Sequence, residues 1–203
     1  MLFRQIPTGQ MQGFAYVVGD EGSGLCAVVD PSDPEEVMRT AEKLGLKVIY
    51  VVNTHGHGDH TAGNQAVKQR TGARVVAHGL SRVPKDVEVD DGDVLKVGGL
   101  KIKVIHTPGH TPDGICLLAG KKLMTGDTLF VGECGRTDLP GGDPRALYDS
   151  LFNKLLKLGD DVEVYPGHDL GPKPFSTIGY ERGNNYTLAR RSVAEFVKFM
   201  AEP

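Results

Sequence analysis

The segment His55-Gly56-His57-Gly58-Asp59-His60 places four metal-ligand side chains in six positions. His55 and His57 would diverge on a helix, but a tight loop can turn both toward one centre. Gly56 and Gly58 make such a loop feasible. Asp59 and His60 are adjacent and most naturally reach a second centre beside the first. Three later stretches repeat the device: Val104-Ile105-His106-Thr107-Pro108-Gly109-His110 and Val162-Glu163-Val164-Tyr165-Pro166-Gly167-His168 each run into Pro-Gly-His, and Leu123-Met124-Thr125-Gly126-Asp127 runs into Gly-Asp. Imidazoles and carboxylates without thiolate suit zinc, iron or manganese, and argue against a closed structural zinc site. Open coordination positions then remain for water and substrate. A bound dication lowers the pKa of its water to about 7, so hydroxide is available without a protein nucleophile. The chain has no Gly-x-Ser-x-Gly elbow, which makes a covalent mechanism less attractive.

Each of these stretches needs a rigid element that delivers it. The apolar run Val48–Val52 leads almost directly into His55, and period-two or apolar runs at 14–18, 26–29, 74–77, 94–97, 100–105, 115–118, 123–125 and 162–165 read as further strands. Helical spacing marks 34–44, 62–70, 144–158 and 192–200, the first and third with Asp33 and Asp143 as caps. Strands interleaved with a few helices indicate an α/β or α+β domain in which sheets are covered by helices. If the ligand-bearing strands share an orientation, all the ligands lie along one sheet edge. The Gly/Pro-rich stretch 167–174 reads as an active-site loop.

The 203 residues are expected to form a single domain, residues 1–203. A net charge of -3 and a pI near 6.2 provide no basic footprint, so a small-molecule substrate is expected and nucleic acid is not. No signal-peptide core and no apolar stretch of membrane length is seen, giving the expectation of a cytoplasmic protein without a membrane role. Assembly into a homo-oligomer is left open. Cys26, Cys116 and Cys134 form no Cys-x-x-Cys pair and read as reduced and structural, although Cys134 follows Asp127 closely enough to stand near the site. His78 and His106 lie outside the ligand motifs and read as ordinary histidines. The loops after Asp127 and His168 must wall any site, which makes Arg136, Lys173 and Tyr180 candidates for substrate binding. Arg136 offers a planar fork for a carboxylate, unless Asp138 takes it instead.

This arrangement resembles the metallo-β-lactamase superfamily over essentially the whole chain. The resemblance implies an αββα sandwich of two mixed β-sheets flanked by helices. It assigns His55, His57 and His110 to one metal, Asp59, His60 and His168 to the other, and Asp127 to the bridge. Asp59 would also orient the attacking water. The implied cofactors are two divalent metal ions, zinc and/or iron. Within the superfamily, Thr107–Pro112, Thr125–Phe130, Gly135–Asp138 and Ser176–Glu181 are similar to short glyoxalase II-like hydrolases and to persulfide dioxygenases. The first likeness implies a metal-bound hydroxide acting on a thioester of hydroxyacylglutathione type. The second implies a single Fe(II) held by His55, His110 and Asp127. Promiscuous lactam or phosphodiester hydrolysis is a further alternative, and a binding protein that has lost activity would lack a ligand, whereas none is missing. Hydrolysis is preferred because the set for a second metal is complete.

Overall fold

The computed structural model describes residues 1–9 and 11–202. Its strands follow the period-two alternation of apolar side chains: in the strand Phe14–Asp20, Phe14, Tyr16 and Val18 face one core while Ala15 and Val17 face another. Among the described residues two six-stranded sheets result. The first contains β1 (Leu2–Pro7), β2 (Phe14–Asp20), β3 (Leu25–Val29), β4 (Lys47–Val52), β5 (Arg74–His78) and β6 (Val87–Val89), in that order. The second contains β7 (Val94–Val97), β8 (Leu100–His106), β9 (Ile115–Ala119), β10 (Lys122–Gly126), β11 (Glu163–Pro166) and β12 (Ser176–Thr177), in the order β12-β11-β10-β9-β8-β7. Both sheets are mixed: β3, β4, β5 and β6 pair in parallel, as do β10 and β11, and the remaining neighbours are antiparallel.

Valines, Tyr16, Ile102, Leu117 and Met124 fill the space between the sheets. The outer face of the first sheet is covered by α1 (Pro34–Lys43) and α3 (Asn64–Thr71), which follows the short α2 (Gly58–Thr61). The outer face of the second is covered by α4 (Pro144–Tyr148), α5 (Ile178–Asn184) and α6 (Val193–Ala201). The layers are therefore helix, sheet, sheet, helix, as the resemblance implied. No described helix is long and apolar enough to cross a membrane.

The helical expectations hold where caps and stripes are strong. Asp33 accepts the Glu36 N–H at 3.1 Å to start α1, and Ser192 and Glu195 form a capping box on α6. Two boundaries differ. The helix expected over 62–70 begins later, at Asn64, as α3, and the separate short α2 precedes it across a break at Ala62 and Gly63. At the break, Asn64 exchanges amide hydrogen bonds with Asn53 at 2.7 and 3.1 Å, tying the new helix to the end of β4. The helix expected over 144–158 is a short α-helix, then a π-helical turn Asp149–Lys154 and a 3-10 turn Leu155–Lys157. Leu147, Leu151 and Leu155 still share a buried stripe, and within the π turn Ser150 Oγ donates to Pro108 O at 2.7 Å, fastening it to the loop that carries His110. The strands β1, β6 and β12 and the helix α5 carry too few periodic residues to be read from sequence.

Candidate metal centre

Strand direction collects the ligand-type residues. β8 and β10 both run antiparallel to β9, and β11 runs parallel to β10, so β8, β10 and β11 all end on the same edge. Their ends deliver His110, Asp127 and His168, and β4 in the facing sheet delivers His55, His57, Asp59 and His60 from across the sandwich.

The recurrence of Pro-Gly-His has a steric cause. Gly109 has φ 143°, and a Cβ there would lie 2.4 Å from the Leu147 Cα, so only glycine lets the loop pack on α4. At Gly167 a Cβ would meet Asp127 Oδ1 at 2.3 Å and His60 Cε1 at 2.9 Å. The glycine before His168 therefore makes room for the other ligands.

All seven sequence-selected residues meet. His57 Nδ1 lies 3.0 Å from His55 Nε2 and 3.1 Å from His110 Nε2. His60 Nε2 lies 3.1 Å from His168 Nε2, and Asp59 Oδ2 stands 3.4 Å from His168 Nε2. Asp127 reaches both groups, with Oδ2 3.5 Å from His110 Nε2, 3.5 Å from His168 Nε2 and 4.0 Å from His55 Nε2, and Oδ1 3.4 Å from His60 Nε2. The donor atoms of His55, His57 and His110 lie within 4.8 Å of one another, as do those of His55, His60 and Asp127 and those of Asp59, His60 and His168.

The outward nitrogens set the tautomers. His110 Nδ1 donates to Arg136 O at 2.8 Å, His168 Nδ1 to Met11 O at 3.0 Å and His60 Nδ1 to Asp30 Oδ2 at 3.0 Å. Each turns its Nε2 inward. Lone pairs converging at about 3 Å repel unless a proton or cation lies between them. Asp127 Oδ1 is also buried without a hydrogen-bond partner. Both observations fit a donor set made for divalent metal.

The same crowding perturbs titration. Burial disfavours charge on His168, but Asp127 and Asp59 outweigh it and hold the imidazole near 10. The His168 hydrogen bond keeps Asp59 at about 2. Burial would raise Asp127, yet His168, His60 and His55 drive it well below the carboxylate range. His55 is lowered by burial and by its imidazole neighbours.

A residue outside the sequence selection completes the framework. Asp30 is 1% exposed with φ 48°, and it accepts the Thr54 N–H at 2.8 Å and the Thr54 hydroxyl at 2.6 Å besides holding His60. Its sequence signal, an aspartate closing the apolar strand β3 just before Pro31, is the same strand-end device used by Asp127.

A cavity of about 540 Å³ opens onto the centre. Met11, Phe130, Leu139 and Leu170 form apolar walls, and Glu133, Cys134 and Arg136 border it. Burial pushes the Cys134 thiol to about 11, so little thiolate exists at neutral pH. Arg136 lies at the cavity but its guanidinium forks onto Asp138 at 2.6 and 2.5 Å, the competing arrangement anticipated above. Lys173 and Tyr180 are not brought to this wall. Lys173 Nζ sits 3.5 Å over the Tyr180 ring, because the chain beyond Leu170 turns away, with Gly171 packed beneath Val131 and Phe175 stacked on Tyr165. Leu170 takes the wall position instead.

The sequence profile described as "Metallo-beta-lactamase superfamily" matches residues 8–84 and 79–168. The chain belongs to this superfamily. It is 38% identical over 198 residues to a hydroxyacylglutathione hydrolase of Polaromonas sp., covering 94% of this chain and 72% of that protein. It is 34% identical over 206 residues to the human mitochondrial persulfide dioxygenase ETHE1, covering 98% of this chain and 80% of that protein. The crystal structure of ETHE1 from Myxococcus xanthus superposes with a TM-score of 0.95 at 36% identity, covering 100% of this chain and 91% of that one. The superfamily is one of metal-binding enzymes, and the His/Asp clusters described above suit metal ions.

Proposed function

We propose that this superfamily member is a thioester hydrolase with two divalent metal ions, acting on a small substrate of hydroxyacylglutathione type. The observation that carries this reading is the position of Asp127, whose carboxylate touches both histidine groups and so can serve two ions at once. His55, His57 and His110 would hold one ion, and Asp59, His60 and His168 the other. A divalent ion held there supplies a water of pKa near about 7 and a Lewis acid for the carbonyl oxygen. Asp59, ionised at neutral pH and bordering the cavity, accepts a hydrogen bond from the attacking water and orients it. The apolar walls exclude bulk solvent around the acyl group. Arg136 exchanges its Asp138 partner for a carboxylate of the substrate, a modest cost for an exposed pair.

A second reading, the Fe(II) persulfide dioxygenase, is favoured by the whole-length likeness to ETHE1 proteins, and His55, His110 and Asp127 would hold its iron. One paired experiment separates the two. Metal analysis of protein purified without chelator is combined with lactoylglutathione hydrolysis and with oxygen uptake on glutathione persulfide. Two ions and thioester cleavage are expected. A single iron with oxygen uptake and no cleavage replaces this reading with the dioxygenase.

A further inference from the structure

The loop that leaves Asp127 supplies much of the cavity wall and also part of the centre, since Arg136 O at its far end orients His110. Between these ends the chain forms a small hairpin. Leu129 and Cys134 form a bridge pair, Phe130 N donates to Glu133 O at 3.0 Å, and Gly135 N donates to Thr128 O at 3.2 Å. Gly132 turns the tip with φ 86°. A hairpin of this size is marginal alone, so its rigidity depends on what holds the tip.

The tip is held by α5. Glu181 Oε2 accepts the Gly132 N–H at 2.9 Å, and Asn185 Nδ2 donates both to Glu133 O at 3.0 Å and to that same Glu181 oxygen at 2.8 Å. Asn185 is fixed from behind by Thr187, whose N–H and hydroxyl donate to Asn185 Oδ1 at 3.0 and 2.6 Å. Glu181 is 0% exposed and its other oxygen has no hydrogen-bond partner. Burying a carboxylate against two neutral donors is an expensive way to gain stability, and its product is a fixed backbone position at the cavity wall.

We propose that Glu181, with Asn185, is a positioning residue that clamps the 129–135 hairpin and so sets the wall against which a substrate's distal portion binds. This rests on the cavity being the substrate site of the proposed hydrolase. The test uses the full-length, metal-loaded protein with two readouts: amide hydrogen exchange of residues 129–135, and KM for lactoylglutathione beside the minimal thioester methyl thioacetate. In Glu181→Ala, exchange in the hairpin should speed up and KM for lactoylglutathione rise about tenfold with metal content unchanged, while kcat/KM for methyl thioacetate stays within about twofold. Glu181→Gln keeps an acceptor for both donors and should restore both readouts. If Glu181→Ala does not fold, Asn185→Ala removes the bond to Glu133 O and should give the same pattern. Unchanged exchange overturns the clamp, as do equal losses on both thioesters or a fall in metal content. If the unaltered protein cleaves neither thioester, the hydrolase reading fails while the exchange comparison still decides the clamp.

Discussion

Two groups of histidines share this chain, and geometry separates what they can do. In the centre most neighbouring rings meet edge to face, with interplanar angles of 79° for His55 and His57, 88° for His57 and His110, and 85° for His60 and His168, while His55 and His60 are tilted at 52°. The in-plane lone pairs therefore point into shared space. His78 and His106 instead stack face to face, 4.0 Å apart at 13°, which sends their lone pairs outward along parallel planes. Donor atoms of His78, Asp90 and His106 still come within 4.8 Å of one another. Yet His78 Nδ1 accepts the Leu80 N–H at 3.2 Å, so its Nε2 carries the proton shared with Asp90 at 3.3 Å, and His106 Nε2 donates to Pro112 O at 2.9 Å. Proximity of ligand atoms is thus not convergence: the first group turns its ring nitrogens on one another, where a cation suits them, and the second spends its ring nitrogens on ordinary hydrogen bonds.

Substitutions can break this contrast. Asp127→Ala should have the largest effect, with metal content falling and activity lost by about a thousandfold, ~4 kcal/mol of transition-state stabilisation, while circular dichroism shows the fold retained. Retention of full metal content would show that the two clusters do not share this carboxylate. Asp30→Asn should follow, weakening metal affinity about 10- to 100-fold, because it disturbs the hydrogen bond that aims His60 without removing a ligand. Competition with a chelator measures it, and an unchanged affinity would reduce Asp30 to a loop support. His78→Gln should change metal content and kcat/KM by less than about twofold and cost about 1 kcal/mol of stability for lost hydrogen bonding. A loss comparable with Asp127→Ala would place a metal at the stacked pair.

The smallest expected effect is on pH dependence. Burial, and then the His78 and Lys154 charges, lower the His106 pKa despite the bond to Pro112. A histidine with a folded-state pKa below its unfolded value contributes stability that is present above about 6.5 and lost as pH falls through the folded value. Between pH 7.5 and 5, the melting temperature of the metal-loaded protein should therefore fall more steeply than that of His106→Gln in the same state. Parallel curves would mean that protonation of His106 does not oppose folding.

Much of this molecule was legible without coordinates, for local reasons. A strand that ends in Gly-Asp or Pro-Gly-His declares both its element and its ligand within a few residues, so the four ligand stretches and nine of the strands could be read along the chain. Asp33 and Asp143 announced their helices in the same way. The helix at 144–158 was legible as a leucine stripe but not as the π turn within it, because that turn is tied to Pro108, distant in sequence. Asp30 was missed because its partners Thr54 and His60 lie 24 and 30 residues away, and Glu181 because its partners belong to a hairpin about fifty residues earlier.

By itself, the sequence determined which side chains are suited to ligate a metal, since residue type and strand-end spacing are properties of short segments. Tertiary structure alone decided how those segments face one another. It aimed five imidazoles inward and stacked two, gave Arg136 to Asp138, turned Lys173 and Tyr180 away in favour of Leu170, and fastened the wall of the cavity to a buried glutamate. The partners that fix hydrogen-bond direction and ring orientation are mostly distant in the chain, as Asp30 is from His60, and the contacts of His57 with His110 and of His60 with His168 form only when the two sheets close on each other.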